Sequence, residues 1–180
     1  MAVHVAFLRG MNLGGRRIKN PELVAAFEEI GFTDVSAYRA AGNVIFGSSG
    51  QSEGKLVAEI EEGLEESLGY AVPTFVRDAG EVRSIADFDP FDDALVAKSK
   101  GKLQVSILAT RPTAAKRKKV LAMATDDDPI EIAERELYWL PSGGLLDSEL
   151  DLDEIDRILG QSTRRTKGTI EGIAGKLSSE

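Results

Sequence analysis

The sequence predicts an α+β protein: two ferredoxin-like subdomains (alpha-beta plaits), the second incomplete, plus C-terminal helices. Three observations carry that expectation. Within the first 78 residues, strand-like and helix-like apolar patterns alternate in the order β-α-β-β-α-β. The order resumes at Leu103 and runs β-α-β-β-α. Between them lies a polar stretch, Asp87–Lys102, which places the boundary so that residues 1–90 form the first subdomain and 91–180 the second.

Val3–Leu8 is a run of strand-forming residues that ends at Arg9. Asn20 has the chemistry of an N-cap and Pro21 suits the first helical position, with Leu23, Val24, Phe27 and Ile30 following at helical spacing and Gly31 as the stop. Val35–Tyr38 reads as a second strand, Gly42-Asn43 as part of a turn, and Val44–Phe46 as a third strand. Ser52 caps a second helix in which Leu56, Ile60, Leu64 and Leu68 recur every fourth residue, and Gly69 ends it. Val72–Val76 supplies the fourth strand, followed by a short helix over Ala79–Ala86. The second half predicts a strand at Leu103–Leu108, a helix over Thr113–Ala124, a strand pair at Ile130–Ala133 and Glu136–Leu140, and helices at Asp151–Leu159 and Thr169–Leu177.

Composition narrows the chemistry. With 42% apolar residues in a chain of 180, a core can form. There is no cysteine, so disulfides, thiol catalysis and cysteine-ligated zinc or iron–sulfur centres are excluded, and nothing in the sequence calls for a cofactor. No segment approaches the roughly 20 apolar residues that span a bilayer, and the amino terminus lacks a basic n-region and long apolar h-region, which points to a cytoplasmic protein with no membrane partner. The net charge is −8, yet residues 1–20 carry +4 and residues 161–180 carry +2, leaving −14 on the body. An acidic body disfavours broad nucleic-acid binding, while two basic ends would form one local positive pocket if the fold joined them. The oligomeric state is not legible.

The loop after the first strand is the strongest candidate site. Gly10 and Gly15 reproduce the spacing of a phosphate-binding loop, but Arg16 and Arg17 stand where Lys and a hydroxyl residue are required, and the helix begins only near Pro21. The dinucleotide fingerprint is absent. What remains is a glycine- and arginine-rich loop suited to a small anion. Arg9 and Arg16 would hold charge, Asn12 and Asn43 would orient the ligand, and Gly10, Gly14, Gly15 and Gly42 would allow close backbone approach. Arg165 and Thr169 would complete the site from the C-terminal segment.

Other motifs are weaker. His4 is the single histidine and, on a strand, faces away from Val3, Val5 and Phe7, so it has a packed or surface role rather than a catalytic one. Asp126-Asp127-Asp128-Pro129 reads as a solvated turn. The acids at 147, 149, 151 and 153 lack the glycine and final glutamate of a calcium loop, so no metal site is expected. Lys116-Arg117-Lys118-Lys119, with Lys98, Lys100 and Lys102, reads as solvated helix and loop surface. Only Phe7 and Phe46 are placed on the first and third strands, where RNA stacking would use them, and the motif that accompanies such stacking is missing.

Leu8-Arg9-Gly10-Met11-Asn12-Leu13-Gly14-Gly15 resembles the RGINVGG signature of an uncharacterised bacterial family, domain of unknown function 1697, and Ala41-Gly42-Asn43-Val44-Ile45-Phe46 resembles its SGNVVF signature. The resemblance implies two α/β plait subdomains and no established reaction. Departures lie in the second half. Ser148-Glu149-Leu150 replaces Ser-Lys-Leu, and Thr166-Lys167 replaces Asn-Trp within Thr163–Thr169. Three readings follow: a protein that binds a small anion or phosphate-containing ligand, an enzyme that acts on such a ligand by arginine-based electrostatic stabilisation, and a structural or interaction module whose glycine loop packs the subdomains.

Overall fold

The computed structural model describes residues 1–11, 18–39, 42–145 and 148–178. The chain divides into two compact units, Met1–Val82 and Arg83–Glu180. Each contains one four-stranded antiparallel sheet.

In the first unit the elements are β1 (Ala2–Leu8), α1 (Asn20–Ile30), β2 (Thr33–Ala37), β3 (Asn43–Ser48), α2 (Glu53–Leu68) and β4 (Thr74–Asp78), with sheet order β2-β3-β1-β4. That is the plait order expected. β1 pairs with both β3 and β4, so Val5 lies between Ile45 and Arg77, and Ala6 between Val44 and Val76. Alternation then sends Ala6, Leu8, Val44, Phe46 and Val76 to one face, where they meet Leu23, Ala26 and Phe27 of α1 and Leu56, Ile60 and Leu64 of α2 in one core. Each such side chain removed from water contributes about 1.5–3 kcal/mol, which is why the i, i+4 leucine-isoleucine row fixes which side of α2 turns inward. On the opposite face Val5, Phe7, Ile45 and Phe75 are buried as well.

His4 packs in this unit as expected, 8% exposed with its ring stacked 5.8 Å from Phe46. Phe7 and Phe46 are both fully buried and, by register, on opposite faces, so they form no stacking platform for bases. The start of α1 differs from expectation. Lys19, not Asn20, is the N-cap, and its side chain makes no capping hydrogen bond. Asn20 is the first helical residue and spends its amide elsewhere, donating to the Arg39 carbonyl at 3.0 Å.

The second unit contains α3 (Ala79–Asp87) across its boundary with the first, then α4 (Asp93–Lys98), β5 (Gln104–Leu108), α5 (Ala114–Leu121), β6 (Ile130–Ala133), β7 (Glu136–Trp139), α6 (Leu152–Leu159), β8 (Ser162–Thr166) and α7 (Lys167–Ser178). Its sheet order, β6-β7-β5-β8, repeats that of the first. The second plait is therefore complete, and its fourth strand, Ser162–Thr166, is the element the sequence reading left out. The polar stretch at the boundary holds a helix, α4, capped by the Asp92 side chain. One sheet face packs Ile130, Ile132, Leu137 and Trp139 against Val120 of α5 and Ile155 of α6.

The registers of the two sheets coincide. Val105 lies between Tyr138 and Arg165 as Val5 lies between Ile45 and Arg77. At the next pair inward from the strand ends, Ile107 faces Glu136 and Thr163 where Phe7 faces Asn43 and Phe75. Even the closing hydrogen bond recurs: Leu8 N–H donates to Gly42 C=O at 2.9 Å, and Leu108 N–H to Arg135 C=O at 2.9 Å.

Candidate anion site at the end of the first sheet

Antiparallel pairing brings the end of β1, the β2–β3 turn and the start of β4 to one end of the first sheet, and Asn20 Nδ2, donating to the Arg39 carbonyl, ties the start of α1 to that turn. Arg9 and Gly10 sit there, half-buried, with Arg9 N–H donating to the Pro73 carbonyl at 3.0 Å. Gly10 has φ +72°, a conformation that glycine adopts without strain. Gly42 and Asn43 lie beside them, so the structure brings Arg9, Gly10, Gly42 and Asn43 together. Asn12, Gly14, Gly15 and Arg16 lie outside the described residues.

The work done by Gly42 and Asn43 is visible. Gly42 has φ +79°, and a Cβ there would stand 2.8 Å from Met11 Cγ and 3.0 Å from Leu8 Cβ. Its hydrogen is needed for the turn to close on β1. Asn43 is 1% exposed and donates from Nδ2 to the Tyr38 carbonyl at 3.0 Å, bracing the same turn. Both residues are therefore engaged by the protein itself. Arg39, which the sequence reading passed over, has φ +58° in that turn, is exposed, and lies with its guanidinium 5.3 Å from the centre of the Tyr38 ring. Its signal was weak: one arginine between a strand and a turn.

Lys19 is the N-cap of α1, the Asn20 amide ties the Arg39 backbone to the same helix start, and no acid precedes Glu22 in the chain. The other six helices all receive a side-chain oxygen at their first turn: Ser52 at α2, Asp78 at α3, Asp92 at α4, Thr113 at α5, Asp151 at α6 and Thr166 at α7. Among the described residues α1 alone receives none.

Arg165 and Thr169 belong to the second unit. Arg165 is 8% exposed and donates from Nη1 to Thr163 Oγ1 at 2.7 Å and to the Arg164 carbonyl at 2.8 Å. Loss of solvent by burial pushes its pKa down from the ordinary arginine value to about 10, which leaves it charged near neutrality. Thr169 is buried in the cap of α7, where its hydroxyl lies 2.9 Å from that of Thr166. Arg77, 1% exposed and donating to the Val76 carbonyl at 3.1 Å, is the register counterpart of Arg165 and was not foreseen, because arginine is ordinarily a surface residue.

The remaining motifs resolve as follows. Asp128 is not solvated: it is 4% exposed and its Oδ1 accepts from Trp139 Nε1 at 2.9 Å and from Ser148 Oγ at 2.8 Å. Lys116, Arg117, Lys118 and Lys119 are exposed as expected, with Arg117 paired to Glu131 at 2.9 Å. Among the described residues no group of three or more potential ligands is arranged to hold a metal ion. Likewise, no helix among them is long and apolar enough to cross a membrane.

A search of curated proteins finds no match. Among solved structures, the chain is similar to a conserved bacterial protein, SP0830 from Streptococcus pneumoniae. The TM-score is 0.71 at 16% identity over 99% of each chain, a likeness that shows the fold alone. Residues 1–138 match the family model described as protein of unknown function, DUF1697, a span that includes the whole first plait and the loop after β1. The chain belongs to that family.

Proposed function

We propose that this protein binds a small anion, phosphate or a phosphate-bearing metabolite, at the end of the first sheet, through Arg9 and the Gly/Arg loop with Arg16. The observation that carries the reading is the start of α1, which receives no side-chain oxygen among the described residues and has Lys19 at its N-cap and the Arg39 backbone tied to Asn20. Anions favour such a helix end because the dipole and neighbouring cations act together over the first turn. Gly42 and Asn43 serve as scaffold for this site, setting the turn against β1, and Gly10 gives the backbone its bend. The test is thermal and chemical unfolding with inorganic phosphate and pyrophosphate, on the wild type and on Arg9→Ala. At about 100 times its dissociation constant a ligand adds about 2.7 kcal/mol to stability. The wild type is expected to gain this increment and Arg9→Ala to lose it. The absence of any anion-dependent gain in the wild type would sink the proposal.

A second reading has a specific observation behind it. Gly42 and Asn43 meet the protein's own packing and hydrogen-bonding needs, as a purely structural loop would require. Under that reading Arg9→Ala lowers stability to the same extent with and without phosphate.

A further inference from the structure

Lys167 presents an unusual arrangement. It stands at the junction of β8 and α7, and its backbone N–H extends the β5–β8 ladder by donating to Leu103 C=O at 2.8 Å. Its side chain is 8% exposed, whereas its ion-pair partner, the Asp89 carboxylate, is 84% exposed. The two charges are 3.6 Å apart, beyond hydrogen-bond reach, and among the described residues Nζ makes no hydrogen bond. A buried ammonium has three donors to satisfy and loses most of its water, so it is ordinarily met by close acceptors. Here the side chain is buried along most of its length, Nζ is not among the buried atoms that lack a partner, and the carboxylate stands 3.6 Å away. Arg165, also buried on β8, is occupied by Thr163 Oγ1 and the Arg164 carbonyl and supplies background positive charge.

The segment that carries Asp89 is lightly held. Phe88 lies on Tyr138 with ring centres 5.0 Å apart, and α4, a few residues on, has no buried residue. Asp89 can therefore withdraw from Lys167 without unpacking a core.

We propose that Lys167 is the centre of a second anion site, on the second unit, and that the Asp89 carboxylate occupies it as a displaceable internal competitor for a small oxyanion, a phosphate or carboxylate group. An incoming oxyanion approaches Nζ to hydrogen-bond distance, which Asp89 does not do, and leaves the Asp89 carboxylate to solvent, where most of its surface already lies. Lys167 is held open for an anion by geometry, and Asp89 sets the affinity threshold.

The experiment is calorimetric titration with inorganic phosphate and, separately, acetate, in the Arg9→Ala background so that the first site is silent. Asp89→Asn keeps the side-chain shape at an exposed position and removes the competitor. It is expected to tighten binding of at least one of the two anions about tenfold, the factor for a site that is self-occupied about nine-tenths of the time. Adding Lys167→Met to Asp89→Asn, with folding checked by circular dichroism, is expected to abolish that gain. If Asp89→Asn leaves the affinity for both anions unchanged, or only lowers stability, the pair is a structural ion pair and the proposal falls. Because Arg9 is absent throughout, failure here says nothing about the first site, and failure of the first site does not affect this one.

Discussion

The two plaits are built on one plan and finish their corresponding ends differently. In both, the first strand is flanked by the third and fourth strands in the same register, and a leucine amide closes onto the hairpin turn at 2.9 Å. In the second plait the end is closed by its own residues. Thr113 caps α5 by accepting from Lys116 N–H at 3.3 Å, Arg111 is paired with Glu134 at 3.5 Å, and only Ala109–Thr113 connects strand to helix. In the first plait the connection is longer, the helix receives no side-chain cap among the described residues, and the charges are all of one sign up to Glu22. The same frame thus supplies its own control: the second plait caps its first helix with Thr113, and among the described residues no side chain caps the first helix of the first plait. That difference, rather than the glycine content of the loop, is the physical ground for placing a ligand at the first plait.

The comparison is broken most severely at the hairpin turns. Gly42→Ala forces an alanine into φ +79° and drives its methyl against Met11 and Leu8, for an expected loss of about 2–4 kcal/mol. The counterpart carbonyl belongs to Arg135, which has no positive φ, and Arg135→Ala is expected to cost less than about 1 kcal/mol. Urea unfolding of the two variants measures both. Equal losses would mean that the turns are not equivalent in how they close on the first strand.

The next largest effect lies at a position where the two sheets diverge in chemistry. Phe46 and Trp139 occupy equivalent places on the third strands, each buried against helices. Phenylalanine asks nothing further, but the indole N–H needs an acceptor, and Asp128 supplies it. Asp128→Ala strands the indole and the Ser148 hydroxyl and is expected to cost about 2–3 kcal/mol. In a Trp139→Phe background the same change is expected to cost about 1 kcal/mol less. A double-mutant cycle with no coupling would show that Asp128 acts on Ser148 alone.

These contrasts also explain what could be read from the chain. Val3–Leu8 was legible as a short continuous run of strand-forming residues, buried on both faces, and the Leu56-Ile60-Leu64 row as one apolar helix face with its period intact. Ser162–Thr166 was not, since its buried residues are Ser162, Thr163 and Arg165, whose burial is made tolerable by hydrogen bonds that leave no hydrophobic pattern. The only signals for it were threonine's strand preference and the plait's need for a fourth strand. At the site, Gly10 and Gly42 were legible as turn chemistry, whereas the N-cap was misplaced because Asn20 is an excellent cap by type and is drawn away by the Arg39 carbonyl, nineteen positions distant. Arg77 and Lys167 were illegible for a shared reason: a long cationic side chain signals surface, and only tertiary structure can bury it.

The smallest effect is the sharpest test of the comparison, because it changes one helix end into the other. Thr113→Ala removes the cap of α5 and is expected to cost about 1 kcal/mol. Lys19→Asp does the reverse at α1, placing a carboxylate at a cap position that already has the extended backbone a capping side chain needs (φ −83°, ψ 151°). It is expected to stabilise by about 1 kcal/mol through the cap and the dipole together. The same carboxylate would occupy the place proposed for the anion, so phosphate should stabilise Lys19→Asp less than it stabilises the wild type. Unfolding with and without phosphate reads both quantities in one series. A stabilised variant that retains the full phosphate response would leave the helix end open in the free protein but take the anion elsewhere. A variant that gains no stability would mean that the protein already satisfies the start of α1, and the two plaits would then differ in sequence alone.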